Sequence, residues 1–129
     1  MAQCNESWSD LAVASAVPAF RRHISVFASA ANLSDPPMGD VRLAVSEGVT
    51  NVVLHSYRDR EEPGPVEMAA TLTQHELKIV IADEGTGMRP RDDSPGLGLG
   101  LPIIGTVTQG FEIRPREPEG SELHLRFSF

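Results

Sequence analysis

Apolar residues recur at two different spacings along the chain, and each spacing predicts a different element. After Pro18, which suits the first turn of a helix, Phe20, Ile24 and Phe27 follow at helical intervals. A first helix is therefore predicted from Pro18 to about Asn32.

A second helix is predicted after the segment Ser34–Pro37, because the prolines stop the first helix and a polar residue there can cap the next one. This helix is expected to run to about Tyr57. Gly48 lies on it and allows a neighbouring element to approach closely. Its apolar stripe consists of Val41, Ala44, Val45, Val49 and Val52. Beside that stripe lie three polar side chains spaced by four: Glu47, Asn51 and His55.

Strict alternation of apolar and polar residues begins after the charged surface loop 58–65. Residues 66–72 and 77–81 alternate on either side of a turn at residues 74–75, which predicts two antiparallel strands. The other predicted elements are an edge strand over residues 8–13, a helix from about residue 98 to residue 110, a strand from residue 111 and a closing strand over residues 123–129.

This order of elements predicts an α+β fold, a two-layer α/β sandwich in which helices cover one face of a mixed, mostly antiparallel sheet. The regular strand-helix alternation of a doubly wound parallel sheet is missing. A length of 129 residues corresponds to a single domain, residues 1–129. Residues 1–7 are a candidate disordered end, and residues 84–95, which have no periodicity, are expected to form an exposed loop.

The composition narrows the classes of function. A net charge of −7 with no run of Lys or Arg argues against direct nucleic-acid binding and favours a protein partner. Cys4 is the single cysteine, so no internal disulfide can form. No apolar stretch approaches the length of a membrane span and no secretory signal is recognisable, so a cytoplasmic protein with no membrane association is expected.

The glycine-rich run from Gly96 to Leu101 suggests phosphate binding by backbone N–H groups near a helix N-terminus. It is not a dinucleotide fingerprint, because it follows a loop rather than a strand. It is not a P-loop either, since no Gly-Lys-Ser/Thr follows the glycines. A plain flexible loop remains the alternative.

Four segments in order give the chain a specific resemblance. Residues Leu43 to Tyr57 resemble the N-box of the GHKL (Bergerat-fold) ATPases, most closely that of the bacterial anti-sigma-factor serine kinases. The run Asp83 to Gly87 is similar to the Asp-x-Gly-x-Gly box of that family, and Gly96 to Leu101 to its second glycine box. Gly120-Ser121 resembles its final small-residue motif, so the resemblance extends over nearly the whole chain from the first helix onward.

The resemblance implies a role for three polar side chains. Glu47 would be the catalytic general base that polarises a protein hydroxyl, and Asn51 would bind Mg²⁺ through its amide oxygen. Asp83 would accept a hydrogen bond from the exocyclic amine of adenine. The plain alternatives are a solvated helix carboxylate, a helix-surface hydrogen bond and a turn-capping aspartate, respectively.

The resemblance implies further nucleotide-binding residues, and each would approach a particular part of ATP. His55 would lie near the phosphates, with core packing as the alternative. Ser121 would form a hydrogen bond with the adenine edge, directly or through water, with an ordinary strand serine as the alternative. The glycines, with simple turns as the alternative, and one leucine would act through close backbone approach: Gly85 and Gly87 at base and ribose, and Gly98, Gly100 and Leu101 at the phosphates. The segment 84–97 would be a short ATP lid.

The function implied is that of a protein serine/threonine kinase that uses ATP and Mg²⁺ and regulates transcription as an anti-sigma factor. Its partners would be a sigma factor, held inactive, and a small anti-sigma-factor antagonist whose serine is phosphorylated; close relatives suggest a homodimer. The main alternative is a nucleotide-binding interaction module with little or no kinase activity. A sensor histidine kinase domain is less favoured, because no helical hairpin with a phosphoacceptor histidine is recognisable.

Overall fold

A computed structural model of the protein describes residues 4–34, 36–86 and 101–129. Its elements, in chain order, are β1 (Cys4–Leu11), α1 (Ala16–Ala30), α2 (Met38–Asn51), a π-helical turn (Val52–Ser56), β2 (Pro65–Leu72), β3 (Glu76–Asp83), α3 (Leu101–Val107), β4 (Gly110–Pro115) and β5 (Ser121–Ser128). Among the helices in this part of the chain, none combines the length and apolar character that a membrane span requires.

The five strands form one sheet in the order β1-β2-β3-β5-β4. The α+β class and the layer of helices on a sheet are confirmed. The expectation of a mixed sheet is wrong for the described strands, since all four of their pairings are antiparallel. β3 and β4 do run in the same direction, as a helical crossover requires, but β5 returns between them and pairs with both.

One face of the sheet carries the core. The alternating positions predicted from the sequence are confirmed as buried: Leu77, Ile79 and Ile81 on β3, and Leu123, Leu125 and Phe127 on β5. Phe20 and Ile24 of α1 and the valine stripe of α2 pack against them in a single cluster. Each such side chain contributes about 1.5–3 kcal/mol when it is fully buried, so this face fixes α1 and α2 on the sheet.

Gly48 sets the distance between α2 and the sheet. A Cβ atom at this position would lie 2.7 Å from Ile81 Cδ1 and 3.1 Å from Leu123 Cδ2. The predicted close approach is therefore confirmed, and it explains a glycine inside a helix, where glycine costs about 1 kcal/mol relative to alanine. α2 carries the polar stripe, so this contact also fixes the height of that stripe above β3.

The first strand begins four residues earlier than predicted. β1 pairs with β2 along its whole length, from Cys4 opposite Leu72 to Leu11 opposite Pro65, so residues 4–7 of the candidate disordered end belong to the sheet. The start was missed because most side chains of this edge strand are polar and exposed, and backbone hydrogen bonds rather than apolar burial hold it. Trp8 packs on this strand's inner side, 5.5 Å from the ring of His23.

The third helix is shorter than predicted within the described residues. It ends at Val107 instead of residue 110, and Gly110 is the first residue of β4. The Thr108 N–H still donates to the Ile104 carbonyl at 3.1 Å, but the Gln109 N–H donates to the Arg126 carbonyl of β5 at 2.9 Å. The chain therefore leaves the helix as soon as the sheet edge offers a partner.

Candidate functional site

The predicted polar stripe begins on α2 as expected and changes geometry at its end. Glu47 is partly exposed and Asn51, one turn later, is the last α-helical residue. The next five residues form the π-helical turn, where hydrogen bonds run from residue i to i+5. The prediction that an α-helix continues to Tyr57 is therefore wrong, and His55 does not continue the stripe with regular spacing. Such turns within helices occur frequently at functional sites.

The Asn51 side chain is the most informative polar group of this helix. It is 2% exposed, and its Nδ2 atom has no hydrogen-bond partner within residues 4–34, 36–86 and 101–129. The buried hydroxyl of Ser56, at the end of the π-helical turn, also has no hydrogen-bond partner among these residues. Leaving a buried polar group unpaired costs about 1–3 kcal/mol, so these atoms are available to a partner outside the described residues, such as a ligand.

Asp83 lies at the end of β3 and is fully buried. Its Oδ2 atom accepts a hydrogen bond from the Ser121 hydroxyl at 3.0 Å, and its Oδ1 atom accepts one from the Gly85 N–H at 2.9 Å. Ser121 is brought there by the strand register, which pairs Asp83 directly with it. A carboxylate offers about four acceptor positions, so this oriented group can accept a further hydrogen bond from a ligand amine.

Two glycines let the chain fold tightly around Asp83. A side chain at Gly85 would overlap the carbonyl oxygen of Ser56, and one at Gly120 would overlap the carbonyl oxygen of Asp83 itself. Gly120 also has a φ of 115°, a conformation that L side chains rarely adopt. At both positions the structure shows a contact within the protein that demands glycine.

Several residues that the sequence analysis did not single out also lie at this site. The Thr86 N–H donates to the Ser56 carbonyl at 2.8 Å, which ties the segment after β3 to the π-helical turn. The Tyr57 hydroxyl accepts a hydrogen bond from the Glu84 N–H at 2.8 Å. Tyr57 lies in the segment that resembles the N-box, and Thr86 lies in the segment that resembles the Asp-x-Gly-x-Gly box. Their place in these motifs was the only feature of the sequence that could have pointed to them.

Some of the predicted site residues lie in or next to the segment 87–100, which the structure does not describe. Gly87, Gly98, Gly100 and the ATP lid after residue 86 lie outside the described residues. Leu101 is the first residue of α3. The described part of the site therefore consists of the polar residues of α2 and the π-helical turn, together with Asp83 and its partners Gly85 and Ser121.

A family model described as histidine kinase-like ATPase domain matches residues 11–127. The chain belongs to this family. The match includes β2, β3 and β4 in full, β5 without its last residue and only the last residue of β1, and it contains every residue of the candidate site. Membership of this GHKL-type ATPase family supports ATP as the ligand of the site.

Curated relatives of this ATPase domain are anti-sigma F factors. That of Clostridium beijerinckii is 32% identical over 125 residues, covering 86% of this chain and 85% of the relative. That of Clostridium acetobutylicum is 28% identical over 136 residues, covering 97% and 86%. Both alignments extend over most of the two proteins.

A solved structure shares the fold of this ATPase domain. The structure of the RsbU and RsbW domains of Rv1364c from Mycobacterium tuberculosis superposes with a TM-score of 0.70 at 19% identity. It covers 96% of this chain, which spans 32% of that longer chain. At this identity the likeness concerns the fold alone.

Replacing Gly85 with alanine is expected to destabilise the ATPase domain by more than about 2 kcal/mol, because the new methyl group overlaps the rigid Ser56 carbonyl. Gly39 provides the matched control, since a Cβ there meets nothing within 4 Å. Gly39→Ala is expected to be neutral or to stabilise α2 by up to about 1 kcal/mol. Urea denaturation of both variants measures the difference, and equal stabilities would contradict the close contact.

Burial raises the pKa of Tyr57 above its ordinary value of 10.0, and the negative charge of Asp83 adds to the effect. The unfolded chain loses this proton at about pH 10 while the folded chain keeps it. The associated stability is thus fully present below about pH 10 and is lost as pH rises through the raised pKa.

Tyr57→Phe is accordingly expected to show a smaller loss of unfolding free energy above about pH 10 than the unmodified protein. Tyr57 is the single tyrosine of the chain, so absorbance titration of the tyrosinate reads its ionisation directly. Ionisation of the native protein at about pH 10 or below would contradict this burial effect.

Proposed function

We propose that this protein is an ATP-dependent protein serine/threonine kinase that acts as an anti-sigma factor and regulates transcription. The anti-sigma F factors to which it is similar support the regulatory part of the proposal. The observation that carries the enzymatic part is the buried Asn51 side chain, whose Nδ2 atom has no partner among the described residues, one helical turn from the partly exposed carboxylate of Glu47. The first suits a buried ligand, and the second can be reached by a protein substrate.

Asp83 is the residue proposed to select adenine. Its buried carboxylate accepts the exocyclic amine while Ser121 and the Gly85 N–H hold its two oxygens in place. Because a group buried to accept a hydrogen bond rejects a ligand that lacks the donor, this contact favours adenine over guanine at the same position. From the family motifs, Gly87 contributes at the base and ribose, and the proposed phosphate contacts are His55, Gly98, Gly100 and Leu101.

The Asn51 side chain is proposed to hold Mg²⁺. The ligand would be the Oδ1 atom of this buried side chain, because Mg²⁺ prefers oxygen ligands; the ion commonly takes one or two protein ligands and completes its shell with phosphate oxygens and water. The described residues contain no cluster of three His, Cys, Asp or Glu side chains that forms a metal site by itself. When bound, Mg²⁺ neutralises the charge that develops on the phosphates during transfer.

Glu47 is proposed to act as the general base. Its carboxylate accepts the proton of a serine or threonine hydroxyl as that oxygen forms a bond to the γ-phosphorus of ATP. The bond between the γ-phosphorus and the bridging oxygen breaks, and ADP leaves with the bonding electron pair. The products are a phosphorylated protein, ADP and protonated Glu47, which returns its proton to solvent.

The regulatory cycle follows from linkage between two partners. If the sigma factor and the antagonist use the same kinase, phosphorylation of the antagonist weakens its hold and redistributes the kinase to the sigma factor. We also propose that the protein is a cytoplasmic homodimer that binds neither nucleic acid nor a membrane directly. The net charge of −7 is consistent with partners that are proteins rather than nucleic acids.

The test is transfer of label from γ-labelled ATP to separately purified anti-sigma-factor antagonists of the source organism. Label on serine or threonine, stable to acid and mapped by mass spectrometry, is the expected result. Acid-labile label on histidine would contradict the assignment of the acceptor. ATP binding and antagonist binding without any transfer would instead identify a nucleotide-binding interaction module.

A further inference from the structure

Two side chains just after the π-helical turn hold the backbone that follows Asp83. The Tyr57 hydroxyl accepts the Glu84 N–H at 2.8 Å and donates to the carbonyl of Pro65. The Arg60 guanidinium donates to the Glu84 carbonyl at 3.1 Å. Both backbone polar atoms of Glu84 are therefore bound by side chains from one short turn.

Arg60 also joins this turn to the segment that precedes Ser121. Its Nη2 atom lies 2.8 Å from Glu119 Oε1, and its guanidinium lies 5.3 Å from the centre of the Tyr57 ring. Gly120 and Ser121 follow Glu119 directly, and Ser121 is the residue that donates to the Asp83 carboxylate. One guanidinium thus connects the three segments that meet around Asp83.

The two N–H groups that follow Glu84, those of Gly85 and Thr86, also donate hydrogen bonds. The Gly85 N–H donates to Asp83 at 2.9 Å, and the Thr86 N–H donates to the Ser56 carbonyl at 2.8 Å. The Tyr57 ring lies against Gly85, since a Cβ there would be 3.0 Å from Tyr57 Cδ1. The segment therefore has few alternative conformations while Tyr57 and Arg60 keep these contacts.

We propose that Tyr57 and Arg60, named here the Tyr57–Arg60 clamp, are positioning residues that preorganise the Asp83 carboxylate for the base of the nucleotide. This inference rests on the proposed ATP-binding function of the site. Neither side chain needs to touch the nucleotide. The clamp acts by fixing the backbone on both sides of Glu84, so the ordering that base recognition requires is present before ATP binds.

Arg60 allows a clean test because its side chain is 41% exposed, so its removal leaves no core cavity. Arg60→Ala is expected to weaken MgATP binding by about three- to fivefold, the scale of a partly exposed charged contact. The melting temperature of the nucleotide-free protein should change little. In the transfer assay the KM for ATP should rise while kcat at saturating ATP is retained, because the transfer residues are untouched.

The matched control is Arg58→Ala. Arg58 is an exposed arginine of the same turn and makes no hydrogen bond or ion pair with the described residues. It removes the same charge, so its ATP affinity should equal that of the unmodified protein. Glu119→Gln should reproduce part of the Arg60→Ala effect, and the double variant should be no weaker than Arg60→Ala alone.

Tyr57→Phe provides a second variant with the ring retained. It removes the acceptor of the Glu84 N–H and is expected to weaken MgATP binding by about tenfold. If the unmodified protein binds MgATP and Arg60→Ala binds it as tightly as Arg58→Ala, the clamp is refuted while the proposed function stands. If the unmodified protein binds no MgATP, the proposed function fails and the clamp fails with it.

Discussion

Glu47→Gln is expected to lower phosphate transfer to the antagonist by about 10²- to 10⁴-fold, the range that general-base catalysis contributes. Glutamine keeps the size and polarity of the side chain but cannot accept the hydroxyl proton. Glu47 is partly exposed on α2 and contributes no apolar burial, so the fold should persist. ATP affinity should stay within about twofold, since the carboxylate acts on the attacking hydroxyl rather than on the base or the metal.

Glu61→Gln is the control for this experiment, because Glu61 is an exposed carboxylate on the loop before β2. Transfer by this variant should match the unmodified protein. Transfer rates of the Glu47 variant are best measured at saturating ATP and antagonist, so that binding does not contribute. A Glu47→Gln protein with full kcat would show that another group accepts the proton.

Asp83→Asn is expected to reduce ATP affinity by at least about a hundredfold, which corresponds to about 2.7 kcal/mol. The substitution is nearly isosteric in a fully buried site. The new amide can still accept the Gly85 N–H through its oxygen, while its NH₂ group can donate to the Ser121 hydroxyl. The substitution replaces the carboxylate oxygen beside Ser121 with an NH₂ group, which cannot accept a hydrogen bond. The variant therefore loses the charge-assisted hydrogen bond that the adenine amine would donate to the carboxylate.

The melting temperature of the nucleotide-free Asp83→Asn protein separates recognition from folding. A value close to that of the unmodified protein is expected, together with the lost affinity. Asp59→Asn, at an exposed position in the loop after the π-helical turn, should change neither quantity. ATP affinity that survives in Asp83→Asn would remove this residue from base recognition.

The regular elements could be predicted because their burial is periodic. β3 and β5 each place every second side chain in one core, so alternation alone indicated where both strands lie. The start of β1 has no such signal, since its ladder with β2 uses backbone groups that every residue carries. The π-helical turn was missed for a related reason: apolar periodicity cannot distinguish hydrogen bonds to i+4 from bonds to i+5 over five residues.

For the candidate site, the sequence could indicate polar side chains such as Asp83 and Ser121 but not the contacts that hold them in place. The motifs indicated Asp83 and Ser121 separately, whereas the hydrogen bond that joins them depends on the register of two strands distant in sequence. Tyr57 and Arg60 reach Glu84 across 27 and 24 residues, respectively. Contacts of this range leave no local pattern, so supporting residues are harder to predict than the groups they support.

Calorimetric titration of the unmodified protein with ATP, with and without Mg²⁺ and alongside Asn51→Ala, tests the central claim most directly. The account predicts saturable binding that is strengthened by Mg²⁺ and a loss of that Mg²⁺ dependence in Asn51→Ala, whose melting temperature serves as the control for folding. A folded, unmodified protein that binds no ATP in the presence of Mg²⁺ would contradict it.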